Sequence, residues 1–251
     1  RFLFTLHSHG FADVRVLDGC FTKWTAEERP TTDEVPEVER GDFVAEELNE
    51  ETVATTDYVL ATRQDSGVKL VSGLLPSWHY GGYLAYSRPG HIPNTVHIQM
   101  GYFFRSDGTW KDPSSIRPLF EVMGVEEGDE IITYCGGNPL SACTYFTTKF
   151  ILGYDNVRNY TGSIVAWLDD PRDLQLHTYD NPQMLRDTDW IHWWAGERMQ
   201  KLLQDPPARV IDVRSAASHD AGHIPWSVNV PLQSGDEVTQ KTVADWAETL
   251  G

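Results

Sequence analysis

Ile131-Ile132-Thr133-Tyr134-Cys135-Gly136-Gly137-Asn138-Pro139-Leu140-Ser141-Ala142 is the stretch whose reading decides the fold. Its β-branched, apolar start predicts a short buried strand. The strand ends at one cysteine, a Gly-Gly-Asn-Pro turn follows, and Ser141 opens an amphipathic stretch, Ala142 to Phe150, that predicts a helix. A cysteine held between a strand's carboxyl end and a helix's amino end has backbone amides and the positive helix end aimed at its sulfur. That surrounding favours thiolate, the nucleophilic form. The other reading of a single cysteine is a small buried hydrophobe. The two glycines favour the first, because a structural cysteine needs no loop that brings backbone close to it.

Outward from this stretch, strands and helices alternate. A helix is predicted over 49–63, a strand over 68–71, a strand over 95–98, a helix over 113–123 opened by Pro113, and a short strand over 156–158. Apolar strands alternating with helices predict an α/β fold, a parallel sheet with helices on both faces. Ligands then sit at the carboxyl ends of the strands, where Cys135 lies.

The chain also repeats itself. Asp13-Val14-Arg15-Val16-Leu17-Asp18-Gly19, with Trp24, recurs as Asn156-Val157-Arg158-Asn159-Tyr160-Thr161-Gly162, with Trp167. Gly90-His91-Ile92-Pro93 recurs as Gly222-His223-Ile224-Pro225. The order of these units predicts a window on tandem modules: the tail of one over 1–24, a linker over 25–40, a complete module over 41–170, a linker over 171–189, and the head of another over 190–251. Trp24 and Trp167 are expected as core anchors, and Trp190, Trp193 and Trp194 as packing between modules.

Composition narrows the function classes. A formal net charge of −17 and no basic stripe argue against nucleic acid and against anionic membranes as partners, and no run approaches the length of a membrane span. Cys20, Cys135 and Cys143 form no disulfide framework and no zinc spacing, so no metal is expected. Free thiols fit a reducing, cytoplasmic compartment. A periplasmic one stays open, since any targeting peptide would lie upstream of Arg1.

Taken together, Ile211-Asp212-Val213-Arg214, Arg88-Pro89-Gly90-His91-Ile92-Pro93, Gly108-Thr109-Trp110, Tyr134-Cys135-Gly136-Gly137 and the two Val-Arg…Gly…Trp tails resemble the rhodanese (sulfurtransferase) family. The resemblance covers nearly the whole chain apart from the linkers. It implies that Cys135 takes the outer sulfur of a donor such as 3-mercaptopyruvate, thiosulfate or a persulfide. The resulting persulfide passes the sulfur to a thiophilic acceptor, cyanide or a thiol, with thioredoxin-like proteins among the candidates; no cofactor is implied. It makes the backbone of Gly136, Gly137, Asn138, Leu140 and Ser141 the cradle for anionic sulfur, and Arg88 a candidate for the donor's negative end, equally readable as a surface salt bridge. Physical chemistry agrees: amide donors at a helix amino end stabilise an anion without adding a competing nucleophile.

Departures matter. Family members that use thiosulfate often carry Arg or Lys in this loop, where Asn138, Pro139 and Leu140 stand here. The Asp212–Arg214 pair of the last module aligns with Ser72 and Leu74 in the middle one, so a non-catalytic interaction or scaffold module, with the active cysteine in another repeat, is the rival reading. A cysteine-phosphatase reading fails, because the Arg needed six positions past the cysteine is Ser141. Cys143 is expected to be packed core, Cys20 lies in a turn, and His91 and His223 are expected to be structural.

Overall fold

The structure is a computed structural model that describes residues 1–11, 13–184, 191 and 210–231. It divides into two compact units, residues 1–183 and 184–251. In the first, β1 (Val53–Ala54), β2 (Val68–Ser72), β3 (Thr95–His97), β4 (Glu130–Tyr134) and β5 (Val157–Tyr160) form one sheet. All pairings are parallel, in the order β1-β5-β4-β2-β3. The central strand is therefore β4, paired with β2 from Val68↔Glu130 to Ser72↔Tyr134 and with β5 from Ile131↔Val157 to Thr133↔Asn159.

Strand alternation splits the core in two. Val71, Ile131 and Val157 meet Phe103, Ile116, Phe120, Ala142 and Tyr145 on one face. There α1 (Phe2–Ser8), α5 (Pro113–Glu121) and α6 (Pro139–Phe146) pack. Leu70, Ile132, Tyr134 and Tyr160 meet Val59, Ile92, Ile164 and Trp167 on the other, under α3 (Thr56–Thr62) and α7 (Ser163–Leu168). Two further helices belong to the unit, α2 (Cys20–Ala26) and the short α4 (Pro76–His79).

Three details differ from the sequence expectation. The helix expected over 49–63 begins as a single 3-10 turn, Glu50–Thr52, and gives way to β1. Val53 and Ala54 pair with Asn159 and Tyr160, and ladder bonds plus burial of Ala54 outweigh helix propensity there. Only then does α3 start, capped by Thr55, whose Oγ1 accepts from the Tyr58 amide at 3.1 Å. The helix after the cysteine starts earlier, at Pro139, and closes in a π-type turn over Thr147–Ile151. Trp167 is 1% exposed and its Nε1 donates to the Gln175 carbonyl at 3.0 Å, but Trp24 is only half-buried. It lies 5.5 Å from the Arg29 guanidinium and donates to the Pro30 carbonyl, because neither buried cluster of the sheet includes it.

The segment after α7 returns along the domain. Leu174 is buried, His91 and His177 exchange both backbone bonds at 2.9 and 2.8 Å, and the Tyr179 amide donates to the Tyr80 carbonyl at 3.0 Å. Gly90 sits beneath this strap at φ +107, where a Cβ would strike the His177 carbonyl.

In the second unit β6 (Ile211–Asp212) pairs in parallel with β7 (Val228–Asn229), and α8 (Ala216–Asp220) lies between them in sequence. Arg214 reaches both Asp212, at 2.5 Å, and the Gly222 carbonyl, at 2.8 Å. The pair thus ties the strand end to the Gly-His-Ile-Pro segment. The first unit keeps the turn without the ions: the Leu74 amide donates to Ser72 Oγ at 3.3 Å, as the Arg214 amide donates to Asp212 Oδ1 at 3.0 Å. Leu74 itself is 1% exposed and joins the core. Trp190, Trp193 and Trp194, and most of the expected last module, lie outside the described residues. Among the described residues no helix is long and apolar enough to cross a membrane.

Candidate active site

Cys135 follows directly on β4, and α6 begins four residues later, at Pro139. Its side chain is almost wholly covered, with the residue 1% exposed. The turn between them depends on Asn138, which adopts φ +80, a region Asn enters more readily than most residues. Pro139 then fixes the first helical residue.

The loop is braced from below by side chains of the sheet. Asn159 on β5 donates from Nδ2 to Asn138 Oδ1 at 2.8 Å. Thr133 on β4 donates to the Ser141 carbonyl at 3.1 Å and lies 3.3 Å from Asn159 Oδ1. Ser141 closes the turn on itself, its Oγ donating to the Asn138 carbonyl at 3.0 Å. Asn138, Ser141, Thr133 and Asn159 are all buried. The side chains of Asn138 and Ser141 are thus spent on the loop's own shape, and what they offer a ligand is backbone.

A second brace comes from α7. Ser163, held at φ +52, accepts from the Cys135 amide at 3.2 Å and donates to the Tyr160 carbonyl at 2.9 Å. The Ile164 and Val165 amides donate to the carbonyls of Cys135 and Gly136. The helix start thereby consumes the polar groups of the backbone at Cys135 itself. Among the described residues the amides of Gly136, Gly137, Asn138, Leu140 and Ser141 have no acceptor. Nothing in a single sequence pointed to Ser163; the only signal was its place between Gly162 and the helical run ending at Trp167.

Arg88 is committed elsewhere. Its Nη1 lies 3.0 Å from Asp173 Oδ1 and its Nη2 donates to the Leu174 carbonyl at 3.0 Å. Leu140 is half-buried and Gly137 exposed. Cys143 lies half-buried on α6, and burial pushes its thiol up to about 11, so it stays protonated. Cys20 is exposed at the start of α2.

A rhodanese-like domain family model matches residues 61–170 and 196–250. The chain belongs to the rhodanese family. This rhodanese is 31% identical over 172 residues to the sulfur carrier protein TtuD of Thermus thermophilus, covering 63% of this chain and 60% of that protein. It is 30% identical over 176 residues to a thiosulfate sulfurtransferase of Corynebacterium glutamicum, covering 66% and 58%. With a thiosulfate sulfurtransferase of Azotobacter vinelandii it shares 29% over 171 residues, covering 68% and 62%. The chain thus spans about 60% of the length of these relatives. Wild-type EanB superposes with a TM-score of 0.64 at 21% identity, over 71% of this chain and 44% of that one, which is likeness of fold.

The Asn159 brace carries a prediction. Asn159→Ala removes the short 2.8 Å donor to buried Asn138 Oδ1 and leaves it only the long 3.4 Å approach of Ser141 Oγ, a loss of about 1–3 kcal/mol for a poorly satisfied buried polar atom. Unfolding in urea should report that loss. Amide exchange at Gly137 and Asn138 should rise more than at β4. Equal protection of the loop in variant and parent would refute the brace.

Proposed function

We propose that this rhodanese is a sulfurtransferase in which Cys135 carries the sulfur. The thiolate attacks the terminal sulfur of a donor. In 3-mercaptopyruvate this is the thiol sulfur, whose C–S bond breaks with pyruvate enolate as leaving group. In thiosulfate or another persulfide it is the outer sulfur, whose S–S bond breaks with sulfite or a thiolate as leaving group. A new S–S bond forms at Cys135, and the electron pair of the broken bond leaves with the donor remnant. An acceptor nucleophile, a thiol or cyanide, then attacks the outer sulfur and returns the thiolate. Two half-reactions through one covalent intermediate give ping-pong kinetics.

The observation that carries this reading is the set of five amides without an acceptor, those of Gly136, Gly137 and Asn138 in the turn after Cys135 and of Leu140 and Ser141 in the first turn of α6. A persulfide is an anion that has to survive between two half-reactions. N–H dipoles fixed by the Asn159 and Ser163 braces stabilise it with no reorganisation at the moment of transfer. Names of relatives, a sulfur carrier and thiosulfate sulfurtransferases, support the same chemistry. The test is mass spectrometry of the intact protein and its peptides after incubation with donor. A gain of one sulfur on the Cys135 peptide is expected. Its absence with all three donors would favour the rival reading, a scaffold module whose active cysteine belongs to another repeat.

Donor choice follows from the loop's charge. Thiosulfate carries two negative charges, the chain carries −17, and Arg88 already holds Asp173. 3-Mercaptopyruvate or a protein persulfide is therefore the favoured donor. Leu140→Arg places a guanidinium in the first turn of α6. A charge-assisted hydrogen bond contributes about 1.5–3 kcal/mol, which is roughly ten- to a hundred-fold in affinity. Thiosulfate kcat/KM should rise by about that factor at low salt, mainly through KM if ground and transition states are held equally. No change at low salt would mean that the donor's charge is met elsewhere.

A further inference from the structure

We infer that Tyr86 is a specificity-determining residue: its ring closes the Gly136 flank of the sulfur loop and admits slim donors and acceptors to Cys135 ahead of bulky ones. The inference deepens the proposed sulfur-carrying role of Cys135 and rests on it.

The first observation is that Cys135 is only 1% exposed. A nucleophile so covered meets no donor until a neighbouring group moves. The second is which neighbours are tied down. β4 is paired along both edges, by β2 and by β5. The turn into α6 is held by the bond from Asn159 to Asn138, and the start of α7 by the bonds of Ser163 and Ile164 to the Cys135 backbone. The third is the neighbour that lies on the loop without being bonded to it. A Cβ on Gly136 would meet Tyr86 before any other residue, first Oη, then Cζ and Cε2. The phenol end therefore takes the place a side chain would have, against the backbone next to Cys135, and Gly136 is buried beneath it. At Gly137, one residue on, the same place holds nothing within 4 Å and the residue is exposed.

The segment that carries Tyr86 is fastened at its ends. Arg88 is held by Asp173 and by the Leu174 carbonyl, and the Tyr83 amide donates to the Ser77 carbonyl at 3.1 Å. Between these points, among the described residues, the backbone from Leu84 to Ser87 makes no hydrogen bond. Its outer side chains are open, Tyr83 being 57% and Leu84 63% exposed. Tyr86 is half-buried and rests on side-chain packing, with Trp78 edge-on at 5.6 Å. Few backbone bonds and an exposed tip characterise a segment that opens locally at low cost. Moving β4, the turn or α7 would instead break bonded, buried backbone. The ring is therefore the group that yields. Turning it aside by a rotamer change leaves a narrow entry, and a bulky reagent needs the Leu84–Ser87 backbone to lift as well. Of the two favoured donors, this ranks 3-mercaptopyruvate ahead of a protein persulfide.

The experiment alkylates the intact chain with iodoacetamide and with the bulkier N-phenyl-iodoacetamide. Peptide mass spectrometry separates Cys135 from Cys20 and Cys143. Both reagents present the same electrophile to the same thiolate, so the bulky-to-small ratio of rate constants reports access and cancels a change in nucleophilicity. In Tyr86→Ala that ratio should rise about ten-fold or more, because an open state populated at about 10% or less becomes the standing one. Gly136→Ala puts a methyl group where Tyr86 Oη lies and should raise the ratio from the other side of the contact. Combined with Tyr86→Ala it should add nothing further, since both substitutions break one contact. Leu84→Ala should leave the ratio at the parent value, and Cys143 should react no faster in any variant. An unmoved ratio in Tyr86→Ala, full additivity of the two substitutions, or an equal acceleration at Cys143 overturns the inference. The readout does not require sulfur transfer. If Cys135 gains no sulfur from any donor, the proposed function falls while the alkylation ratios still decide whether Tyr86 gates the thiol.

Discussion

Replacing Cys135 by Ser is expected to reduce sulfur transfer to background while the protein still folds. Oxygen is close to isosteric with sulfur, so the packing around a side chain already covered by β4, α7 and the loop changes little. Ser, however, cannot form the S–S bond on which both half-reactions depend. Mutational loss at an acyl-transfer nucleophile typically runs to several powers of ten, and the same scale is expected here. Steady-state transfer from 3-mercaptopyruvate to a thiol, with near-ultraviolet circular dichroism as the folding control, measures both halves of the statement. Turnover of the variant above a few per cent of the parent would remove Cys135 from the mechanism. Cys143→Ser should leave turnover largely intact, since that thiol is held protonated by burial and lies on the α6 side of the loop.

How much of this was legible beforehand follows from which residues carry local signals. β4, its cysteine and the turn to α6 were readable because each signal is contained within a dozen residues: β-branched apolar run, Gly-Gly, Asn-Pro. The parallel sheet with helices on both faces followed from the alternation of short apolar runs and amphipathic stretches. β1 was hidden because its two residues sit in a run whose neighbours favour a helix; only the β5 edge, more than a hundred residues later, makes it a strand. The same holds within the site. Asn138 lies in the turn and Ser141 in the first turn of α6, positions open to local reading, but the brace from Asn159 and the hydroxyl of Ser163 are set by tertiary approach, for which one sequence offers no marker. Arg88 is the converse case. Its place beside Gly90-His91 was visible, whereas its engagement with Asp173 depends on the strap that returns after α7. His91 was expected to be structural from its recurrence with His223, and both stack on a second histidine: His91 on His79 at 3.8 Å, His223 on His219 at 3.6 Å. The partner in the first unit, His79, had drawn no attention, because a histidine in a short turn of helix has no distinctive pattern.

That stacked column makes the fold acid-labile, the second large effect. His79 is 3% exposed, lies between the rings of His91 and His97 at 3.8 and 4.1 Å, and has Nδ1 3.2 Å from Ser72 Oγ. His91 Nδ1 donates to the His79 carbonyl at 2.6 Å and His97 Nε2 to the Leu74 carbonyl at 2.9 Å. Tyr179 stands edge-on to His79 and His91, and His177 is tilted against His91; no carboxylate among the described residues pairs with the three rings. Burial, and then the neighbouring histidines, hold the His79 pKa down to about 2; burial likewise lowers His91 and His97. In the unfolded chain all three titrate near 6.5. Below that pH the unfolded state binds protons that the folded state refuses, so stability is fully present above about 6.5 and falls as the solution is acidified. At pH 5 the loss from His79 alone is about 2 kcal/mol, from roughly 1.36 kcal/mol per pH unit over about 1.5 units, and His91 and His97 add in the same direction. Urea unfolding from pH 7.5 to 5 should therefore show stability declining with a slope of more than one proton before most carboxylates begin to titrate. His79→Gln, which keeps a polar side chain without a titration in this range, should remove about one proton from that slope. A stability curve flat between pH 7 and 5, or an unchanged slope in the variant, would mean that the column opens to admit protons without unfolding. In that case the strap carrying His177 and Tyr179, which closes over the rings, would be the element that moves.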